Sequence, residues 1–374
     1  MEFTIHNQVL VLVFVIAVTM GVIVSKTNFC TMGAISDWVN MGDTGRLRAW
    51  LLAMAVALSG VLIMEATGTV TLDSDVFPPY RTGNFAWLRY VLGGLLFGVG
   101  MTLAGGCGNK TLVRVGGGNL KSLVVLAVAS FFAYLMLWGP LYGMAFDPWI
   151  SATTIGLGSH GIQSQELSNV VAGVAGLDGG RNLHLMVGGA IAVAMLAFIF
   201  SSHEFRSNFD NILGGLAVGL AIVLGWAITG GSMGTAWKEY AEFASEVPSR
   251  VQPQSFTFIS PMGDTARYLM EPGKLGFINF GVMALVGVII GSLLYSLFKR
   301  EFRIEWFANR EDVFNHVVGG VLMGVGGVLS MGCTVGQAIT GFSTLALGSM
   351  MTFAAIVAGS AATMKYLYWR AMRD

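Results

Sequence analysis

The chain has 374 residues, of which 54% are hydrophobic and only 11% are charged. Soluble domains carry about a quarter charged residues, so a soluble fold of this length could not cover so much apolar surface, and lipid must cover part of it. The 21 basic and 21 acidic residues balance, which excludes the broad basic field of a nucleic-acid-binding protein. Three cysteines are too few, and odd in number, for a disulfide framework.

Nine apolar segments follow one another along the chain, and a membrane span takes about 20 such residues. The first segment has no basic region ahead of it and runs on into more apolar sequence, so we interpret it as a span rather than a cleavable signal. The third, sixth and eighth are short and run directly into glycine-rich stretches, which predicts discontinuous helices. The predicted spans are 9–24, 49–69, 88–104, 120–145, 183–201, 212–229, 275–298, 313–330 and 345–367.

Basic residues divide unequally between the two sides of this predicted all-α bundle. Two thirds of the 21 lysines and arginines fall on the side that holds the C-terminus, and the positive-inside rule places that side in the cytoplasm. The N-terminus is then outside, and two long polar connections, at about 147–182 and 230–273, face outward. Neither connection has the pattern of an independent domain, so residues 1–374 are predicted to form a single transmembrane domain.

The stretches that precede the second and third cysteines repeat one another. Residues 92–110 read LGGLLFGVGMTLAGGCGNK and residues 318–336 read VGGVLMGVGGVLSMGCTVG, with glycines and the cysteine matching at one constant offset. A weaker copy links CTMG at 30–33 with GSMG at 231–234, where glycine replaces the cysteine. Two homologous halves within one chain are therefore predicted.

The halves cover about 8–145 and 209–374 and are joined by an extra span near 183–201. Equivalent helices are five spans apart, an odd number, so the halves must point in opposite directions across the bilayer, as in inverted-repeat transporters. Glycine pairs with GxxxG spacing predict tight contacts between helices of one subunit, with dimerisation as the alternative. The pairs are Gly94/Gly98, Gly215/Gly219 and Gly320/Gly324.

Each cysteine ends an apolar run amid small and polar residues. Glycine there allows backbone conformations closed to other residues, and the N–H groups of a following half-helix suit an anion. The thiol adds a soft, polarizable group, while Lys110 adds positive charge and Gln337 adds amide donors. This pattern indicates a path for a small, sulfur-rich anion. Its candidate residues are Cys30, Thr31, Gly106, Cys107, Gly108, Asn109, Lys110, Gly332, Cys333, Thr334 and Gln337.

These residues also have plainer interpretations. A cysteine in a membrane helix is often a small packing residue, and Lys110 and Lys26 could be cytoplasmic anchors at helix ends. Glu65 could relay protons, although its place near the outer end of a span favours an interfacial residue. The five histidines lack metal-ligand spacing, and we find no cofactor fingerprint, nucleophile elbow or Cys-x-x-Cys in the sequence. We therefore predict no metal, no cofactor and no enzymatic activity.

The segments LAGGCGNKTLVRVGGGNLKSL at 103–123 and MGCTVGQAITG at 331–341 resemble the YeeE/YedE family of sulfur-transport membrane proteins, and the resemblance covers nearly the whole chain. It implies thiosulfate uptake across the bacterial cytoplasmic (inner) membrane by a nine-span, pseudo-symmetric hourglass with short re-entrant helices. It also implies that Cys30, Cys107 and Cys333 line the path and pass thiosulfate along by S–H···S contacts. Some relatives carry a fused sulfur-carrier domain, so a carrier for this chain would be a separate cytoplasmic partner, beside membrane lipid.

Two other functions stay open. Some relatives are associated with selenium metabolism or with other sulfur species, so the transported compound could be one of these. From another class of protein, the three cysteines could serve a membrane thiol–disulfide oxidoreductase. Paired redox cysteines usually lie close together and exposed, which disfavours that reading of the sequence.

Overall fold

The computed structural model describes residues 4–72, 76–244 and 246–373, so Met1 and Asp374, the ends of the predicted domain, lie outside the described residues. The earlier helices are α1 (Ile5–Thr27), α2 (Thr31–Ser36), α3 (Gly45–Thr67), α4 (Trp87–Leu103), α5 (Gly108–Gly116), α6 (Leu120–Leu137), α7 (Leu141–Ala145), α8 (Asp147–Thr153) and α9 (Leu167–Ala175). The later ones are α10 (Arg181–Phe200), α11 (His203–Ser207), α12 (Phe209–Gly230), α13 (Ser232–Phe243), α14 (Ile259–Met270), α15 (Phe280–Lys299), α16 (Arg310–Leu329) and α17 (Leu347–Ala371).

Other regular structure in the described residues is short. Two strands, β1 (Asn84–Phe85) and β2 (Ile155–Gly156), pair antiparallel. The π-helical turns are Asp37–Met41 and Val335–Gly341, and the 3₁₀ turns are Leu157–His160, Leu275–Phe277 and Phe342–Thr344. The prediction of an all-α membrane fold is confirmed.

Nine helical stretches among the described residues are long and apolar enough to cross a membrane, as predicted. They are Ile5–Met41, Gly45–Thr67, Trp87–Gly116, Leu120–Leu137, Arg181–Phe200, Phe209–Gly230, Phe280–Phe298, Arg310–Leu329 and Leu347–Ala371. The fourth ends earlier than predicted because Gly139 and Pro140 interrupt the helix. The seventh starts later because Asn279 caps it, its side chain accepting a hydrogen bond from the N–H of Val282.

Helices α4 and α16 end in the same way, at the two repeated cysteine motifs. After α4, Gly105 adopts a left-handed conformation (φ +70°), and the N–H of Gly106 bonds to the carbonyl of Met101 at 2.9 Å. After α16, Met331 adopts it (φ 62°), and the N–H of Gly332 bonds to the Gly327 carbonyl at 2.7 Å. Both are Schellman endings, which satisfy the last helical carbonyls and turn the chain sharply before each cysteine.

The three predicted glycine pairs all mediate helix contacts within the chain. A Cβ on Gly94 would lie 2.7 Å from the Thr352 carbonyl oxygen, so α4 packs closely on α17. A Cβ on Gly324 would lie 2.6 Å from the Ala129 carbonyl oxygen, where α16 packs on α6. The pair in α12 approaches α3 in the same manner. Absence of a side chain lets each pair of backbones touch.

The second long connection does not stay at the surface of the protein. Phe256, Phe258 and Ile259 are completely buried, and α14, which begins at Ile259, packs on α6. Thr340 donates to the carbonyl of Phe256 at 2.6 Å, which holds this segment against the turn that follows Cys333. The apolar side chains at the start of α14 therefore belong to the hydrophobic core of the bundle.

Candidate functional site

The three cysteines lie close together although they come from distant parts of the chain. The thiols of Cys30 and Cys107 are near enough to act as hydrogen-bond partners. Gly108, which follows Cys107, lies beside Cys333, because a Cβ built on it would be 3.9 Å from the Cys333 Cβ. All three cysteines are free thiols with exposed fractions of 4%, 1% and 0%. The folded chain thus joins the three breaks into one buried region.

Each cysteine stands at the start of a helical segment. Cys30 precedes α2, and its Sγ accepts a hydrogen bond from the N–H of Gly33 at 3.5 Å. Cys333 precedes a π-helical turn, and its Sγ accepts from the N–H of Gly336 at 3.4 Å. Cys107 precedes α5, and its sulfur faces the backbone N–H of Lys110 without completing a capping bond. Cys107 thus differs from the other two cysteines in the geometry of its cap.

Hydroxyl groups from two different breaks flank the Cys107 thiol. Thr31 is the first residue of α2 and Thr334 directly follows Cys333, and both side chains lie beside the Cys107 sulfur. Their Oγ1 atoms are buried, yet neither completes a hydrogen bond to another described residue. A buried polar atom without a partner costs about 1–3 kcal/mol, and folded proteins rarely leave one. We call Cys30, Thr31, Cys107, Cys333 and Thr334 the cysteine centre.

Lys110 brings positive charge to the same region. Its Nζ donates to the Oδ1 of Asn28 at 3.0 Å, and the side chain is half-buried. Lys26, by contrast, pairs with Asp210 at 3.7 Å on the exposed surface, as an anchor residue would. Asn109, between the cysteine and the lysine, is buried, and its Oδ1 has no hydrogen-bond partner among the described residues. The positive charge at the N-terminus of α5 favours an anion there.

A cavity of about 280 Å³ lies next to Lys110, between α5 and α15. Arg114 and Arg303 contribute to its wall, as do Glu301 and Glu305. With Lys110, three basic side chains face two acidic ones, so the wall carries net positive charge. The cavity therefore offers a polar, anion-tolerant space on one side of the cysteine centre.

Gln337 is tied into the third break at both ends of its amide. Its Nε2 donates to the Ser330 carbonyl, and its Oε1 accepts from the Ser349 hydroxyl at 2.5 Å. Tyr80 donates to the carbonyl of Gly336 at 2.7 Å from the other direction. These bonds fix the turn after Cys333, so Gln337 serves the site through the backbone that it holds rather than as a free donor.

The glycines predicted for the path do not have the special backbone conformation expected of them. Gly106, Gly108 and Gly332 all have negative φ, because the left-handed residue of each break is one position earlier, at Gly105 or Met331. A Cβ on Gly108 would meet nothing closer than 3.6 Å, an ordinary van der Waals distance. At Gly106 and Gly332 a Cβ would lie 3.2 Å from the side chains of Lys110 and Gln337, so close packing rather than a strained turn favours glycine there.

Sequence reasoning missed several residues that shape this region. Thr257 lies against Cys333, with 4.0 Å between its Oγ1 and the thiol sulfur, and comes from the connection predicted to be outside. Arg46 forms a bidentate pair with the buried Asp37 just past α2. The apolar run FTFI at 256–259 was a usable signal for the first. For Arg46 and Asp37 the sequence offers no comparable pattern.

A second buried polar group, which we call the charge cluster, consists of Glu65, Arg81, Glu166 and His184. Arg81 contacts Glu65 at 2.6 Å and Glu166 at 3.4 Å. His184 bridges the same two carboxylates, at 2.9 Å from Glu65 and 2.6 Å from Glu166. Arg81 also donates to the carbonyl of Thr344 at 3.1 Å, which ties the cluster to the chain leading into α17.

The charge cluster borders a cavity of about 410 Å³. Glu166 lies outside the spanning helices, and burial raises the pKa of its carboxyl. The hydrogen bond from His184 and the charge of Arg81 outweigh burial, so the pKa of Glu166 is lowered. Glu65 is accordingly a paired residue near the end of α3. Among the described residues, no group of three or more His, Cys, Asp or Glu side chains is arranged to hold a metal ion.

The sequence is similar to one protein family and to two named proteins, all of them described as transporting sulfur compounds. Over residues 26–362, a range that includes all three breaks, the sequence matches the model of a family described as sulphur transport. The thiosulfate transporter TsuA of Escherichia coli (strain K12) is 24% identical over 357 residues, which are 89% of this chain and 86% of that protein. The thiosulfate transporter TsuA of Spirochaeta thermophila is 24% identical over 371 residues, covering 94% of this chain and 96% of that protein.

Proposed function

The chain belongs to the sulphur-transport family, and from that premise we propose that it imports thiosulfate through the cysteine centre. Two relatives that match nearly its whole length carry the name thiosulfate transporter. The observation that carries the proposal is the meeting of three buried, free thiols with the hydroxyls of Thr31 and Thr334, which have no partner among the described residues, inside a bundle of apolar helices. A packing role for the cysteines would not require buried polar atoms to remain without partners around them.

Passage of a dianion requires compensation for its lost hydration. The thiols supply soft S–H donors to the terminal sulfur of thiosulfate, and the first N–H groups of α5 supply partial positive charge. Lys110 supplies a full charge one helical turn beyond Cys107. Import against an interior-negative potential costs about 2.3 kcal/mol per charge per 100 mV. Entry is therefore coupled to an ion or drawn by consumption of thiosulfate inside the cell.

We also propose an inverted repeat, and the helix packing supports it. Helix α1 packs on α15 as α12 packs on α3, and α4 packs on α17 as α16 packs on α6. Exchanging the two halves maps each contact onto its counterpart. The glycines that mediate α4–α17 and α16–α6 occupy repeat-equivalent positions in α4 and α16. On this arrangement the Cys107 break is entered from the cytoplasm and the Cys333 break from outside.

The proposed location is the bacterial inner membrane, with the C-terminus in the cytoplasm. Single cysteines at Arg303 and Lys274, which are both exposed, test this orientation because the native thiols are buried. A membrane-impermeant maleimide added to intact cells should label the Lys274→Cys variant and leave the Arg303→Cys variant unlabelled. Labelling of both variants from one side would contradict the topology.

One observation favours a second function, because the structure brings the thiols of Cys30 and Cys107 together. A membrane thiol–disulfide oxidoreductase would need these two to form a disulfide reversibly. Trapping thiols by alkylation before and after mild oxidation, followed by mass measurement, distinguishes the two. A transporter takes up thiosulfate with all thiols reduced, whereas an oxidoreductase cycles between the two masses during turnover.

The direct test of the proposal is uptake of radiolabelled thiosulfate by cells that lack their own sulfur-anion importers. We expect expression of this chain to restore uptake. Accumulation of labelled selenite or sulfite instead would assign the transporter to another sulfur or selenium compound. Co-purification with a small cytoplasmic sulfur-carrier protein would add the separate partner that fused relatives imply.

A further inference from the structure

Thr31, Thr334 and Thr352 are the buried threonines of the described residues whose hydroxyls complete no hydrogen bond. Two other buried threonines, in α5 and α12, return their hydroxyl to a backbone carbonyl four residues earlier. Thr111 donates to the Cys107 carbonyl at 3.1 Å, and Thr229 donates to the Gly225 carbonyl at 2.9 Å. Thr31 and Thr334 are equally buried, at 2% and 0% exposed, but their hydroxyls have no partner among the described residues.

The position of each threonine explains the difference. Thr31 begins α2, and Thr334 stands just before a π-helical turn, so neither has a preceding helical turn with a carbonyl in reach. Each follows a cysteine directly, and both lie beside the Cys107 sulfur. Two breaks from opposite ends of the chain thus present a hydroxyl to the third.

The cysteine centre therefore has two chemically different groups of atoms. The thiols of Cys30 and Cys107 are soft and polarizable, and suit a sulfur or selenium atom. The hydroxyls of Thr31 and Thr334 are hard donors, and suit the oxygens of an anion. A ligand that satisfies both groups has a terminal sulfur or selenium atom at one end and oxyanion oxygens at the other.

We propose that Thr31 and Thr334 are specificity-determining residues, which hold the oxyanion oxygens of the substrate while the thiols contact its terminal sulfur. The proposal rests on the proposed transport of thiosulfate and adds to it a rule for selection. Sulfate has oxygens only, and hydrosulfide has sulfur only, so each leaves one group of the centre unsatisfied. The centre selects small anions that carry both ends.

Valine and serine substitutions separate the hydroxyl from the shape of the side chain. Thr31→Val and Thr334→Val keep the volume and lose the donor, whereas Thr31→Ser and Thr334→Ser keep the donor. We expect each valine variant to lower thiosulfate uptake by about tenfold per folded molecule, since one hydrogen bond to a charged group is lost. The serine variants should stay close to wild type. Thr111→Val is the matched control, because its hydroxyl serves only the backbone.

The measurements use the full-length protein in liposomes, with uptake normalised to the folded fraction from thermal unfolding. If valine and serine variants transport equally well, or fail equally, the hydroxyls do not select the substrate and the inference is overturned. Failure of the wild type to take up thiosulfate would instead refute the proposed function. Competition on the wild type gives an independent readout, in which neither sulfate nor hydrosulfide in large excess should block thiosulfate uptake. Strong inhibition by sulfate would also overturn the inference.

Discussion

The charge cluster and the cysteine centre differ in how their polar atoms are satisfied. In the charge cluster, Glu65 and Glu166 each contact both Arg81 and His184, and Arg81 bonds two backbone carbonyls as well. In the cysteine centre, by contrast, the hydroxyls of Thr31 and Thr334 have no hydrogen-bond partner among the described residues. A region whose polar atoms are all paired within the protein gains no hydrogen bonds from a ligand, whereas a region with unpaired hydroxyl donors can bind one.

The charges in the two regions follow the same division. With His184 protonated, two carboxylates and two cations in the charge cluster sum to neutrality, so the region gains little from an incoming ion. The cysteine centre contains no acidic or basic residue, and Lys110 lies one helical turn beyond Cys107. The positive charge of Lys110 is therefore available to a dianion. The comparison predicts that substitutions in the centre reduce transport, while those in the cluster reduce stability.

The largest effect is expected at Cys107. Cys107→Ala should abolish thiosulfate-dependent growth, because it removes the thiol that lies between the other groups of the centre. Cys107→Ser should fail as well, since a hydroxyl lacks the polarizability and bulk of a thiol. Alanine is well tolerated in helices, so the variant should still reach the membrane. Growth is normalised to the amount of protein in the membrane fraction, which separates loss of transport from loss of protein. Normal growth of a well-expressed Cys107→Ala strain would reduce this cysteine to a packing residue.

Smaller losses are expected at the other two cysteines. The sulfur atoms of Cys30 and Cys333 already accept hydrogen bonds from the backbone N–H groups of Gly33 and Gly336. These two thiols are therefore less available to a substrate. Cys30→Ala and Cys333→Ala should each slow uptake without abolishing it. Initial rates of labelled uptake at matched expression measure the difference. If either variant lost uptake completely while Cys107→Ala remained active, Cys30 or Cys333 rather than Cys107 would be the thiol that transport requires.

Lys110 should matter less than the thiols and more than a surface charge. Lys110→Ala removes the positive charge next to the centre and should lower uptake about tenfold. Arg370→Ala is the control, because Arg370 forms an exposed ion pair with Glu311 at 3.0 Å, and such pairs contribute about 1 kcal/mol at most. Concentration dependence of uptake is the measurement for both. Equal uptake by the two variants would make Lys110 a topological anchor only.

The charge cluster should affect stability and leave transport unchanged. Glu65→Gln keeps the shape but leaves Arg81 and His184 with a single carboxylate, which should cost about 2 kcal/mol of folding stability. Thermal unfolding in detergent measures this loss, and Glu271→Gln, in an exposed pair with Lys274, serves as the neutral control. Uptake per folded molecule should equal that of wild type. A stable Glu65→Gln protein without uptake would place the cluster in the transport mechanism.

The spanning helices and their breaks could be predicted because the membrane imposes simple rules. Apolar length sets the spans, and glycine clusters mark where backbones end or touch. Contacts between distant residues follow no such rule. Glu65 and His184 meet across more than a hundred residues, and each alone has the pattern of a helix-end residue. Phe256 and Phe258 lie in a connection whose average polarity predicts a surface loop, although its apolar residues are buried.

The candidate site was predictable in its residues and not in its geometry. The cysteine motifs identify Cys30, Cys107 and Cys333, but they do not reveal that the first two thiols lie near each other in the fold. The left-handed residue is Gly105 rather than Gly106, and its position depends on the residue at which the regular hydrogen bonding of α4 ends. Hydroxyls without a hydrogen-bond partner can be identified only from a structure, because every neighbour of the side chain must be known.

The most direct test of the account uses the purified protein in sealed liposomes. The initial rate of radiolabelled thiosulfate entry is measured for wild type, for Cys107→Ala and for protein-free liposomes. The account predicts rapid entry with wild type, and entry at the protein-free rate with Cys107→Ala. Wild-type liposomes no faster than protein-free ones, or a Cys107→Ala protein as fast as wild type, would contradict thiosulfate transport through the cysteine centre.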